Sequence, residues 1–163
     1  MARRPVTRTP PLAAVLAVQT VLRDAGLEPV VGGSALLASL SADLDEVHDW
    51  DVLVDADPDT VARSLAALGR PVRRAPEPAP EPYASDALFV VDAGDHEIDV
   101  IVRFRIRIRT GTGVLEVPAR PGGTWRGLTM ARPEDWARAY RAMGRERSAA
   151  LLESAASDAA TKG

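Results

Sequence analysis

The sequence of 163 residues is 46% hydrophobic and 4% aromatic, so it is long enough for one compact domain with a core of Ala, Val and Leu. Its net charge of −3 argues against a protein that coats nucleic acid, and the absence of cysteine excludes disulfide and thiolate chemistry. No apolar run approaches the roughly 18 residues that a membrane span needs, and we expect a cytoplasmic protein.

The chain divides into three predicted parts. Residues 1–10 form a basic N-terminal arm, residues 11–153 form a single domain, and residues 154–163 form a disordered tail. Within the domain, residues 70–83 are a Pro-rich loop, because their five prolines permit neither a helix nor a central strand. We interpret this loop as an extended connector, and the alternative is a flap over a site.

Apolar periodicity and turn residues predict the elements of the domain in chain order. Leu12, Val15, Val18 and Leu22 have helical spacing, and Ser34 is placed to cap the second helix. The predicted first half contains a helix over residues 11–25, a strand over 27–31, a helix over 34–40, a strand over 47–54 and a helix over 58–68.

The second half is predicted to contain more strands than helices. Its elements are a strand over residues 87–91, a long strand over 96–108, a turn at 111–113, a strand over 114–117, a Gly-rich loop over 121–127, a helix over 133–143 and a helix over 146–156. This pattern predicts an α/β (α+β) fold in which helices flank a mixed β-sheet.

Two carboxylates lie on one face of the second predicted strand. Asp49 and Asp51 are two residues apart, so their side chains point the same way at a separation of about 7 Å along the strand. Such like charges repel unless a cation lies between them, and one or two divalent metals would remove that cost. The alternative is a solvated face of an edge strand.

A third carboxylate, Asp99, belongs to the long strand. The alternation over residues 97–108 sends Asp99 and Arg103 to the face opposite the core, and Asp99 completes a metal-binding triad if this strand neighbours the Asp49 strand. The arginines further along would neutralise a triphosphate or a nucleic-acid backbone. For Arg105, Arg107 and Arg109 we prefer a solvated hairpin face with Arg–Asp pairs. The apolar residues predicted to face the core are Ile98, Val100, Val102, Phe104, Ile106 and Ile108.

The remaining motif is Gly32-Gly33-Ser34, where the first strand turns into a helix. A helix N-terminus offers free N–H groups to a phosphate, and glycine lets the phosphate approach the backbone. The alternative is an ordinary turn with a serine cap. The chain lacks a Walker A lysine and a GxGxxG sequence, which excludes P-loop and Rossmann sites.

Together VGGSALLASL, HDWDVLV and EIDVIV resemble the nucleotidyltransferase superfamily, with the polymerase-beta-like fold, and most closely its small standalone bacterial members. The resemblance covers about residues 28–103. It implies that Asp49, Asp51 and Asp99 are catalytic and bind Mg²⁺ (or Mn²⁺). It further implies that the nucleotide-binding residues are Gly32, Gly33, Ser34 and Arg103.

The implied function is metal-dependent transfer of a nucleoside monophosphate from an NTP, expected to be ATP, to an unknown acceptor that is a small molecule, RNA or a protein. A homodimer is compatible with it. Many relatives carry an arginine before the Asp pair, which is missing here, and toxin-type relatives use a later basic residue for which Arg141, Arg145 and Arg147 are the candidates. The alternatives are a degenerate, toxin-antitoxin-like binding or regulatory protein and a nucleic-acid-binding module.

Overall fold

The computed structural model describes residues 9–40, 47–108 and 113–161, with side chains up to residue 157. Most of the predicted basic arm and the first two residues of the predicted 111–113 turn lie outside these residues. The described helices are α1 Leu12–Asp24, α2 Gly33–Leu40, α3 Pro58–Ala66, α4 Pro133–Ala142 and α5 Glu146–Thr161. The described strands are β1 Val30–Gly32, β2 Trp50–Val54, β3 Val72–Arg74, β4 Ala87–Asp92, β5 Glu97–Val102, β6 Arg105–Arg107, β7 Val114–Glu116, β8 Pro121–Trp125 and β9 Leu128–Ala131.

Seven strands form one mixed sheet in the order β3-β4-β5-β2-β1-β9-β8, and β6 pairs with β7 in a separate two-stranded sheet. In the larger sheet β2 runs parallel to β5 and β1 runs parallel to β9, whereas the other pairs are antiparallel. The predicted class, a mixed sheet flanked by helices, is therefore confirmed. None of the helices in the described part of the chain has the length and apolar character that a bilayer crossing requires.

The core explains where most elements form. In α1 the side chains of Val15, Val18 and Leu22 are fully buried, as their helical spacing predicts. Strand β2 is buried on both faces except at Asp51, which agrees with its central position in the sheet. Helix α3 begins where the Asp57 carboxylate accepts two backbone N–H groups of the first turn.

The long strand predicted over residues 96–108 is broken in two. Arg103 adopts a φ of 51°, which ends β5, and the chain continues as β6 in the smaller sheet. Phe104 and Ile106 remain buried as predicted, but Ile108 is 40% exposed, so the prediction that it faces the core was wrong. The alternation survives the break because both sheets pack on the same core.

Two further predictions were wrong. The Gly-rich segment predicted as a loop forms the hairpin of β8 and β9, and Gly122 has no room for a side chain because a Cβ would lie 2.7 Å from the Ala131 carbonyl oxygen. The tail predicted to be disordered continues α5 as far as Thr161. Its alanine-rich sequence favours the helix, since alanine has the highest helix propensity.

Candidate active site

The three predicted carboxylates come from neighbouring parts of the sheet. Strands β2 and β5 pair in parallel with Asp51 directly opposite Asp99, so the two Cα atoms are about 5 Å apart. Asp49 is exposed and lies one residue before β2. The structure therefore brings all three residues to one end of two adjacent strands, as the alternation predicts.

The two strand carboxylates are in an environment that opposes their charge. Burial, followed by the negative charges of Asp99 and Asp49, raises the pKa of Asp51 to about 7, and Arg145 offsets part of that increase. Burial, followed by the charges of Asp49 and Glu97, also raises the pKa of Asp99. Nearby positive charge therefore does not balance the charge of these carboxylates, and a bound cation would relieve their repulsion.

Gly33 forms a cradle for one of these carboxylates at the start of α2. Its φ of 64° is in the left-handed region, and a Cβ there would lie 2.2 Å from Oδ2 of Asp51. Only glycine therefore lets the carboxylate lie against the first turn of the helix. The carboxylate oxygens are donors of the type that a hard divalent cation such as Mg²⁺ prefers. Their chemistry fits the cation, but their spacing does not, because no group of three or more His, Asp or Glu side chains in the described ranges is arranged to hold a metal ion.

Ser34 differs from its predicted position as a helix cap. It is the second residue of α2, and its Oγ accepts the backbone N–H of His48 at 3.0 Å and that of Asp49 at 3.4 Å. The cap prediction was wrong because Gly33 already belongs to the helix. Ser34 instead connects α2 to the segment that carries Asp49. It also lines a cleft that lies over the three carboxylates.

A cleft of about 1040 Å³ lies over the carboxylates. One wall carries the neighbouring rings of Phe104, Trp136 and Tyr140. The Trp136 ring centroid lies 5.3 Å from that of Phe104 and 5.5 Å from that of Tyr140. Another part of the lining is the Pro-rich segment, residues 75–81, which the sequence interpretation treated mainly as a connector. Tyr83 anchors this Pro-rich wall, because its hydroxyl lies 3.8 Å from the sulfur of Met143.

The structure separates the three basic candidates of the last helices. Arg145 and Arg147 line the cleft, and neither has a carboxylate partner within the part of the chain that the structure describes. Arg141 instead pairs with Glu146 and Glu153 outside the cleft. The sequence could name all three only as candidates, because packing of α4 on α5 decides which guanidinium groups face inward.

Two residues predicted to bind the nucleotide do not line the cleft. A Cβ at Gly32 would lie 2.1 Å from the indole ring of Trp136, so this glycine serves the packing of β1 on α4. Arg103 donates to Asp86 at 3.1 Å and lines a second cavity of about 550 Å³. Its position follows from the break after β5, which turns the chain away from Asp99.

Comparison with known proteins finds similarity in structure alone. No protein-family model and no curated protein sequence matches the chain. The crystal structure of a candidate nucleotidyltransferase from Thermotoga maritima superimposes with a TM-score of 0.58 and 20% identity, covering 93% of this chain and 97% of that one. The solution structure of the antibiotic-resistance factor ANT(2″)-Ia gives a TM-score of 0.52 at 12% identity over 93% of this chain and 91% of that chain.

A crystal structure of ANT(2″)-Ia in complex with adenylyl-2″-tobramycin also matches, with a TM-score of 0.52 and 13% identity. It covers 93% of this chain and 97% of the other. At such identities the similarity is one of fold. It extends well beyond residues 28–103, and it therefore includes the helices that close the cleft.

Proposed function

The chain has the nucleotidyltransferase fold, and on that premise we propose that it transfers a nucleoside monophosphate from an NTP, with ATP the first choice, to an acceptor hydroxyl. The observation that carries the proposal is the pairing of Asp51 with Asp99 beside the start of α2, where nearby arginines compensate their charges only in part. The absence of cysteine is compatible with a cytoplasmic enzyme.

Asp49, Asp51 and Asp99 are the residues proposed to hold Mg²⁺ or Mn²⁺, which would supply electrostatic stabilisation of the phosphate charge that develops during transfer. The carboxylate donors and the cradle at Gly33 support this assignment. Asp99 has a second proposed role, to accept the proton of the acceptor hydroxyl, because it lies between the metal ligands and the apolar part of the cleft.

The phosphates are proposed to lie between the start of α2 and the α4–α5 junction. Gly33 and Ser34 would present the helix N-terminus to the nucleotide, and Arg145 and Arg147 would neutralise its outer phosphates. The acceptor oxygen attacks the α-phosphorus and forms a new P–O bond as the bond to the bridging oxygen breaks. Pyrophosphate leaves with that electron pair, and the hydroxyl proton passes to Asp99.

Thermal unfolding with each of the four NTPs and Mg²⁺ or Mn²⁺ tests the proposal. A ligand that binds the folded state raises the unfolding free energy, by roughly 2.7 kcal/mol when its free concentration is 100 times the Kd. The Tm rises accordingly. We expect at least one NTP to give this shift only with metal, and Asp51→Asn to abolish it. Asp24→Asn, which removes an exposed carboxylate at the end of α1, is the matched control. No shift with any NTP and metal would defeat the proposal.

A second candidate is a protein that binds the nucleotide without turnover. It is favoured by the finding that no group of three or more His, Asp or Glu side chains among the described residues is arranged to hold a metal ion. Incubation with α-³²P-labelled NTP and a small-molecule cell extract distinguishes the two candidates. Label in a new product supports transfer, whereas a Tm shift with nucleotide but without any labelled product supports binding alone.

A further inference from the structure

The cleft is large for a small-ligand site. Its volume of about 1040 Å³ lies at the upper end of ordinary small-ligand pockets, which are roughly 300–1,000 Å³. The carboxylates and the free arginines occupy the side near α2 and the α4–α5 junction. A nucleotide placed there leaves the side of the Pro-rich wall for a second small molecule.

The vacant side carries an apolar surface that begins next to the carboxylates. Ile101 lies two residues beyond Asp99 on the same face of β5, about 7 Å along the strand. Leu88 of β4 pairs opposite Ile101, and both side chains line the cleft. Residues 75–80 continue this surface with alanine and proline. An acceptor in contact with these side chains would therefore reach the proposed site of transfer.

The carboxylates on this side are already neutralised by arginine. Glu77 and Glu81 project from the Pro-rich wall, and Asp86 follows it. Their partners are Arg74 at 2.9 Å from Glu77, Arg107 at 3.4 Å from Glu81, and Arg105 at 2.7 Å and Arg103 at 3.1 Å from Asp86.

This pairing matters for the charge of the acceptor. The carboxylates that line the cleft without an ion pair, within the described ranges, are Asp49, Asp51 and Asp99, and the proposed function assigns these to the metal. The three carboxylates of this side face four arginines, so the side has no excess negative charge that would attract a polycationic acceptor. A further exposed ion pair would contribute little to its binding.

We infer that the acceptor is a small, uncharged and largely apolar hydroxyl compound, bound between the Pro-rich wall and the Leu88–Ile101 surface. The inference rests on the proposed function and deepens it. An apolar acceptor would distinguish this chain from ANT(2″)-Ia, which has a similar fold and whose structure contains adenylyl-2″-tobramycin, a derivative of a polycation. The acceptor is held by apolar contact, and its hydroxyl lies next to Asp99.

The test uses the full chain with Mg²⁺ and a non-hydrolysable ATP analogue, an uncharged probe (Nile red) and a polycationic one (tobramycin). Ala79→Asp places an unpaired charge on the exposed Pro-rich wall with little effect on packing, and Ala150→Asp is the matched control on the exposed face of α5. We expect saturable Nile red fluorescence, weakened about tenfold or more by Ala79→Asp because a charge would be desolvated, and unchanged in the control.

Tobramycin is expected neither to displace Nile red nor to raise the Tm. The inference is overturned if tobramycin does either, or if Nile red does not bind saturably, or if Ala79→Asp leaves its affinity unchanged. The metal-dependent Tm shift with nucleotide is recorded on the same samples. If that shift persists while Nile red binding fails, the acceptor inference alone is wrong. If the shift is absent, the proposed function itself fails.

Discussion

Asp51 combines three structural properties that bear on its charge. It belongs to a central strand, it lies opposite a second aspartate, and its Oδ2 occupies the space that a side chain at residue 33 would need. Each property makes the charged carboxylate costly for the folded state without a cation. The residue is therefore a cost to stability that metal binding would offset.

The first prediction concerns pH. Because the pKa of Asp51 is raised from 3.8 to about 7, its protonated form contributes stability that is fully present below pH 4 and is lost as the pH rises through 7. With EDTA present, the wild type should lose up to a few kcal/mol of unfolding free energy between pH 4 and 8 relative to Asp51→Asn. Urea denaturation across this range measures both curves. Parallel curves would contradict the prediction, and Mg²⁺ at pH 8 should stabilise the wild type alone.

The second prediction concerns Gly33. Gly33→Ala introduces a Cβ that collides with Asp51, in addition to the left-handed φ penalty of roughly 1–2 kcal/mol. Gly69→Ala has nearly the same φ, 68°, but meets no atom within 4 Å, so it isolates the backbone penalty. We expect the Gly33 variant to be less stable than the Gly69 variant by urea denaturation. It should also lose the metal-dependent Tm shift, and equal behaviour of the two variants would refute the cradle.

At the scale of elements, the junction of α4 and α5 decides which basic groups face the cleft. Gly144 has a φ of 79° and ends α4, and the N–H of Arg145 donates to the carbonyl of Tyr140 at 2.8 Å. The guanidinium of Arg145 then lies over the Tyr140 ring, 5.9 Å from its centroid. The turn itself thus places the charge of Arg145 beside the carboxylates.

The third prediction compares Arg145→Ala with Arg141→Ala. Arg145 lines the cleft, whereas Arg141 is held by Glu146 and Glu153. If Arg145 contacts the phosphates, its loss should weaken metal–nucleotide binding by about tenfold, the effect of one charge-assisted contact. Isothermal titration calorimetry measures the affinity, and Arg141→Ala should leave it unchanged. Equal losses in the two variants would remove the proposed phosphate role.

The fourth prediction concerns how α4 is fixed. The side chain of Asp135 is fully buried and pairs with Arg120 and Arg138, the latter at 2.8 Å. Asp135→Ala removes the common partner of two half-exposed arginines, which water can then solvate, so the loss of these charged hydrogen bonds should cost about 2 kcal/mol of unfolding free energy. Chemical denaturation measures the loss. Glu134→Ala, an exposed carboxylate in the same turn, is the control and should cost well under 1 kcal/mol, and similar values for both would contradict the prediction.

The sequence predicted those elements and residues whose position depends on local periodicity. Alternation placed Asp51 and Asp99 on one face, and strand pairing then brought them together. Alternation could not reveal that Arg103 leaves the strand, because the positive φ of Arg103 goes with the switch of the chain from one sheet to the other. The β8–β9 hairpin was missed because its glycines were interpreted as a sign of a loop. Gly122 is instead required by the close approach of the Ala131 backbone.

At the scale of the whole molecule, the cleft joins regions that the sequence keeps far apart. Its floor is the sheet, its aromatic wall comes from α4 and Phe104, and its other wall is the Pro-rich segment. The carboxylates were predictable because each belongs to a regular strand. The Pro-rich wall was not, since nothing in its composition indicates that the contact of Tyr83 with Met143 folds it toward the helices.

The parallel pairing of β2 with β5 requires a long connection between them, and residues 76–82 belong to this connection. They follow the last contact of β3 with β4, and they contact Arg74 of β3 and Arg107 of β6. This stretch could be exchanged for another of different length or polarity while the opposition of Asp51 and Asp99 stays intact. The fold thereby separates a segment that shapes one wall of the cleft from the strands that carry the carboxylates, so that the two can change independently in sequence.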